Sequence, residues 1–101
     1  MPVLVRYVPP SMTVEQYEQV RQRLQADGAW PPASGMIMHA CFGSGDQMRV
    51  SEIWESRGAL EAFQTRLFPI IAEVMGGDMS ANPPEILDVH HVEMGPNAAS
   101  A

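Results

Sequence analysis

Four short stretches rich in β-branched and aromatic residues, two stretches of helical period, and a glycine-rich link between the middle two strands predict an α+β domain. The implied order is β-α-β-β-α-β, with both helices on one face of a four-stranded antiparallel sheet. The chain has 101 residues, 46% of them hydrophobic, which suffices for one continuous core and leaves no room for a second domain.

The first strand is read over Val3 to Val8 and stops at Pro9-Pro10, whose missing amide hydrogens interrupt a ladder. Thr13 opens the first helix: Gln16 stands three residues on, as in a capping box, and Met12 with Tyr17 has the spacing of a hydrophobic staple. Tyr17, Val20 and Leu24 then recur on one face, with Glu18, Gln22 and Arg23 between them, until Gly28 supplies a stop. Met36 to Phe42 and Met48 to Glu55 form a hairpin across Gly43-Ser44-Gly45-Asp46, two glycines beside an Asp that can bond its own backbone. Ser56 caps a second helix that buries Leu60, Phe63 and Leu67; Pro69 should kink it or start a new turn carrying Ile70, Ile71 and Val74, and Gly76-Gly77 ends it. A polar loop leads to Pro83-Pro84, and Glu85 to Glu93 alternates as a fourth strand. The domain is therefore set at residues 1–94, followed by a flexible small-residue tail at 95–101.

This is a ferredoxin-like pattern, whose usual strand order is 4-1-3-2 with one sheet face uncovered. Closing the hairpin around residues 43–46 sets Phe42 opposite Gln47 and His39 opposite Val50, so Ile37, His39, Cys41, Val50, Glu52 and Trp54 share a face. Met36, Met38, Ala40, Phe42 and Ile53 share the other. The second set is the more uniformly apolar and is assigned to the helices, leaving His39 and Glu52 on the open face; a one-residue bulge would reverse the assignment. Arg6, on the first strand, then stands within reach of Glu52 on one side and Asp88 or His90 on the other. These residues outline a polar centre walled by Trp54, Ile37 and Ile86, and an oily face that a second copy of the chain would cover.

Charge and composition exclude several classes of function. A net charge of −6, with six scattered arginines and no lysine, disfavours nucleic-acid or anionic-membrane surfaces. Cys41 is the only cysteine, so no internal disulfide and no cysteine-based zinc site are expected, and a reducing cytoplasm is the simplest setting. The apolar run at the N-terminus contains Arg6, lacks a basic head and is too short to span a bilayer, so no export signal is expected. His90 and His91 are adjacent on a strand and point to opposite faces, which rules out a shared metal. Gly43-Ser44-Gly45 lacks the third glycine and the strand-to-helix context of a dinucleotide turn.

The opening PVLVRY, Thr13-Val14-Glu15-Gln16-Tyr17, the Ala29-Trp30-Pro31-Pro32 turn, His39, Arg49-Val50 running into Ile53-Trp54-Glu55-Ser56, and Val89-His90 resemble small, uncharacterised bacterial members of the dimeric α/β-barrel superfamily. That superfamily also holds antibiotic-biosynthesis-type monooxygenases, haem-degrading enzymes and stress-response barrel proteins. The resemblance implies a homodimer whose sheets face each other around a pocket. It does not extend to haem degradation: Phe63 and Glu73 stand where those enzymes carry a helical Trp and the axial His, and Arg6 stands in place of their first-strand Asn.

His39 and His90 are the candidates for proton transfer, because imidazole titrates near neutral pH; each is otherwise a hydrogen-bonded structural histidine. Arg6, Glu52 and Asp88 are candidates for holding a polar group of a ligand, against the plainer reading that Arg6 and Glu52 only neutralise one another in a dimer interior. Trp54 would stack on a ring, or simply anchor the interface. Cys41 reads as a small core residue. The expectation is a dimer that binds a small hydrophobic or aromatic molecule and acts as a monooxygenase or related enzyme with no metal and no bound cofactor. The alternative is a non-catalytic structural or stress-response dimerisation module.

Overall fold

The computed structural model describes residues 1–76 and 83–96. Its elements are β1 (Val3–Tyr7), α1 (Val14–Ala26), β2 (Met36–Phe42), β3 (Arg49–Trp54), α2 (Arg57–Met75) and β4 (Glu85–Asp88). The sheet runs β2-β3-β1-β4 and every neighbouring pair is antiparallel, which is the expected ferredoxin-like order.

Both helices begin where their caps dictate. The Thr13 hydroxyl accepts from the Gln16 amide at 3.1 Å and the Gln16 side chain accepts from the Thr13 amide at 3.0 Å, so two orphan donors of α1 are satisfied together. Ser56 accepts from the Ala59 amide at 3.1 Å at the start of α2. Pro69 does not divide α2, which continues through it to Met75. Buried Leu60, Phe63, Leu67 and Ile70 form one stripe across the proline, and their packing on the sheet outweighs one missing ladder bond. Gly76 ends the helix in the left-handed conformation. Gly77, most of the polar loop before Pro83, and residues 97–101 of the expected tail lie outside the described residues.

The hairpin closes two residues away from the sequence reading. Phe42 pairs with Arg49 and His39 with Glu52, and the connection occupies residues 43–48. It is longer because it has a second partner. Met12 forms a parallel bridge to Gln47, donating from its amide to the Asp46 carbonyl at 2.8 Å and accepting from the Met48 amide at 3.0 Å. The loop before α1 is thus tied to the tip of the hairpin. A shift of two residues preserves which side chains share a face, but the register breaks between Met36 and Met38, so Ile37 drops out of the alternation and Met36 joins the Trp54 side.

The face assignment is reversed. Val3, Val5 and Tyr7 of β1 are buried and pair with Trp54, Glu52 and Val50, so this side of the sheet, with His39 and Cys41, lies beneath the helices. The open face carries half-buried Leu4, Met38, Ala40 and Ile53, flanked by Phe42 and Leu87 at 43% and 47% exposure. β4 is also shorter than expected. It ends at Asp88, with one further bond from the Val89 amide to the Pro2 carbonyl at 2.9 Å, and His90, His91 and Val92 lie beyond it.

Gly35 sits at the start of β2 with φ +91°, and an added Cβ would lie 2.8 Å from the Ala59 methyl and 3.4 Å from the Trp54 ring. Gly35→Ala therefore meets both a strained backbone and a fixed neighbour. It is expected to cost about 1–3 kcal/mol, read as a lower denaturation midpoint; an unchanged midpoint would contradict the packing described here.

Candidate functional site

β2 and β3 deliver His39 and Glu52 side by side, and α1 brings Tyr17 down onto them. His39 Nδ1 lies 2.7 Å from Glu52 Oε2, and His39 Nε2 lies 2.6 Å from the Tyr17 hydroxyl. The Trp54 indole donates to the other oxygen of Glu52 at 3.0 Å. An ionised Glu52 can only accept, which fixes the imidazole proton on Nδ1 and turns the Nε2 lone pair toward the phenol. Tyr17, His39, Glu52 and Trp54 thus form one continuous chain of hydrogen bonds.

Glu52 is 2% exposed, and a carboxylate this deep requires the two donors it has. Aromatic rings wall in the histidine. Trp30 meets His39 edge-on with centroids 4.7 Å apart, and Phe63 of α2 bridges Trp30 and Trp54 at 6.0 and 5.2 Å. Gln64 of α2 donates to the Tyr7 hydroxyl at 3.1 Å across the same layer.

Beside this network the sheet and the two helices enclose a cavity of about 80 Å³. Tyr7, Tyr17, Trp30, His39 and Glu52 contribute to its wall, together with Arg21 and aliphatic residues of both helices. For scale, an apolar cavity of about 150 Å³ admits benzene. The cavity is thus about half the size of one that holds a benzene ring.

Burial sets the state of the phenols. Removal from water pushes Tyr17 up to about 12 and raises Tyr7 further, because the charged phenolate is the form that loses hydration. These are the only two tyrosines. Below about pH 10 folded and unfolded chains both keep the phenol protons, whereas above it the unfolded chain loses protons that the folded chain retains, so stability falls with rising pH. A spectrophotometric titration is expected to show almost no phenolate in the folded protein near pH 10 and to show ionisation together with unfolding at higher pH. A tyrosine half-ionised at pH 10 with the fold intact would refute this.

Of the residues singled out from sequence, the structure brings together His39, Glu52 and Trp54. It does so between sheet and helices, not on the open face. Arg6 is directed away from them: it pairs across the strands with Ser51 and Glu85, and its guanidinium bonds Glu85 at 3.1 Å with both side chains about half exposed. The cause is the burial of Val3, Val5 and Tyr7, which commits the alternate positions Leu4 and Arg6 to the other side. Asp88 lies opposite Val3 at the exposed sheet edge, and His90 is exposed in a bend after β4. Neither lines the cavity. Cys41 packs partly against the core, where burial raises its thiol. Among the described residues no group of three or more His, Cys, Asp or Glu side chains is placed to hold a metal ion.

Tyr17 was read only as a staple and a core-facing residue, and Tyr7 only as strand material. The available signal was their hydroxyls: a buried tyrosine needs a polar partner, and His39 and Gln64 are those partners.

Comparison with solved structures finds the same fold elsewhere. A Chloroflexus aurantiacus J-10-fl protein ascribed to the antibiotic biosynthesis monooxygenases superposes with a TM-score of 0.59 at 12% identity, covering 94% of this chain and all of that one. SnoaB, a cofactor-independent oxygenase from Streptomyces nogalater, superposes at 0.50 with 17% identity over 94% of each chain, and a point mutant of it at 0.52 with 16% identity over 90% of this chain and 93% of that one. The likeness is one of fold. It agrees with the superfamily resemblance drawn from the sequence, and at such identities it transfers no site residue. No model of a protein family matches the sequence, and no curated protein does.

Proposed function

We propose that the chain binds a small hydrophobic or aromatic molecule in the cavity between sheet and helices, and that Tyr17, His39 and Glu52 remove a proton from it. The observation that supports this reading is the unbroken hydrogen-bond chain from Tyr17 through His39 to Glu52 in the wall of an apolar cavity. A ligand O–H or activated C–H gives its proton to the Tyr17 oxygen while the tyrosine's own proton passes to His39 Nε2. Glu52 then stabilises the imidazolium. Tyr17 is never left as a free phenolate, in keeping with the upward push on its pKa.

The same relay serves monooxygenation with dioxygen as the second substrate. An activated CH2 group loses a proton, its carbanion reduces and captures dioxygen, the peroxide regains a proton, and loss of water leaves a carbonyl. The substrate supplies all four electrons and dioxygen accepts them, one oxygen atom ending in the carbonyl and the other in water, so the step needs no external reductant. The fold shared with a cofactor-independent oxygenase supports this chemistry over others. The open face bearing Leu4, Ile53, Phe42 and Leu87 is covered in this reading by a second copy, making a homodimer; sedimentation is expected to give twice the chain mass, and a monomer would refute it.

Thermal melting with a panel of one-ring phenols and quinones tests binding, since a ligand of the native state raises the midpoint with its occupancy. Tyr17→Phe is expected to keep that shift and to lower oxygen uptake by about 10²-fold or more, the usual worth of a positioned acid-base group. One observation favours a second reading, a non-catalytic module: no buried polar side-chain atom among the described residues lacks a partner, so the relay is also a self-sufficient core network. No midpoint shift across the panel would decide for that module.

A further inference from the structure

Two tyrosines stand in the wall of one cavity, and their hydroxyls meet opposite chemistries. Tyr7 has one side-chain hydrogen-bond partner among the described residues, the Gln64 amide at 3.1 Å, and an amide takes up no proton. Tyr17 meets the Nε2 lone pair of His39 at 2.6 Å, and the Glu52 carboxylate behind His39 stabilises an imidazolium. The cavity surface is apolar, so Tyr17 offers it the ring while His39 holds the hydroxyl. A phenol that loses an electron becomes a very strong acid, and the loss is costly unless the proton has a base to go to at the same moment. Burial pushes Tyr17 up to about 12, so near neutral pH the group present is the phenol and not the easily oxidised phenolate. Of the two phenols, Tyr17 is the one with a base in place.

We infer that Tyr17 is a redox-active tyrosine, which gives up one electron through its ring as its hydroxyl proton moves to His39 Nε2. The Tyr17 O–H bond breaks and an N–H bond forms on His39, leaving a neutral tyrosyl radical beside an imidazolium paired with Glu52. The electron goes to a one-electron oxidant of the radical class: an organic peroxyl radical becomes a peroxide anion, which takes a proton from solvent. When a hydroquinone returns an electron, losing its own proton to solvent, the proton on Nε2 goes back to the Tyr17 oxygen and the cycle closes. Trp30 extends the unit toward solvent. It is half-buried, and it and Tyr17 both pack on the His39 ring, with centroids at 4.7 and 5.9 Å, so an oxidising equivalent that reaches the indole has ring contacts all the way to the phenol. This activity goes beyond ligand binding and depends on no molecule in the cavity.

Azidyl radicals made by pulse radiolysis are the probe, since each takes one electron from an aromatic side chain and leaves azide. Wild type is expected to form an indolyl radical that decays as a tyrosyl radical grows in, read from their separate absorption bands, with slower growth in heavy water. Tyr17→Phe should abolish the tyrosyl signal, and Tyr7→Phe should keep it. His39→Gln should slow its formation by about 10²-fold or more, the usual worth of a positioned proton acceptor. High-field electron paramagnetic resonance of freeze-quenched wild type checks the product without any variant, because a radical oxygen held by an imidazolium has a lowered g value along its C–O bond. A radical assigned to Tyr7, oxidation that stops on the indoles or on Cys41, a tyrosyl signal without the lowered g value, or formation unchanged in His39→Gln overturns the inference.

Discussion

Replacing Trp54 by alanine is expected to destabilise the fold by about 3–5 kcal/mol, the usual cost of emptying a large buried aromatic site. Trp54 is 1% exposed, packs on Phe63 at 5.2 Å and lies against Gly35 at the start of β2. Its neighbours are strand backbone and a helix stripe, which relax poorly into a void. For a domain of this size each kcal/mol moves the melting midpoint by about 4–8 °C, so the variant should melt at least some 12 °C lower. Trp54→Phe separates packing from hydrogen bonding. It keeps most of the ring, loses the indole donor to Glu52, and should cost about 1–3 kcal/mol. If both substitutions cost the same, the packing account is wrong.

Glu52→Ala carries the second large effect, because one carboxylate holds two donors at once. Its removal leaves the His39 Nδ1 and Trp54 Nε1 hydrogens without acceptors in a layer closed to water, at about 1–3 kcal/mol each. Glu52→Gln retains one acceptor and should lose roughly half as much. Since Glu52 and Trp54 share a bond, the double variant Glu52→Ala with Trp54→Phe should fall short of the sum of the single costs by about 1 kcal/mol. Strict additivity, measured by urea denaturation, would show that the indole and carboxylate are not coupled.

The order and kind of the elements were legible in the sequence because caps and turns are local. Thr13 with Gln16, Ser56 and the glycines of the hairpin each act within a few residues. The grouping of His39 with Glu52 and Trp54 was legible too, since alternation on paired strands survives a register shift of two. Which side faced the helices was not. Choosing the more uniformly apolar set assumes that a core rejects polar groups, whereas it rejects only unpartnered ones. Tyr17 arrives from a helix more than twenty positions away and the Trp54 indole from two positions on, and together they make His39 and Glu52 admissible inside. The pairing of Arg6 with Glu52 fell with that choice, and His90 stands apart from His39 and the cavity because β4 ends at Asp88.

The bridge from Met12 to Gln47 makes the hairpin tip a poor place to graft an epitope or a label. Residues 43–48 look like an ordinary solvent-facing turn, yet Met12 lines the cavity and is held by the Asp46 carbonyl and the Met48 amide. Lengthening the turn by a few residues would tug one wall of the cavity from outside, so a tag inserted there would reshape the space between sheet and helices without touching either helix.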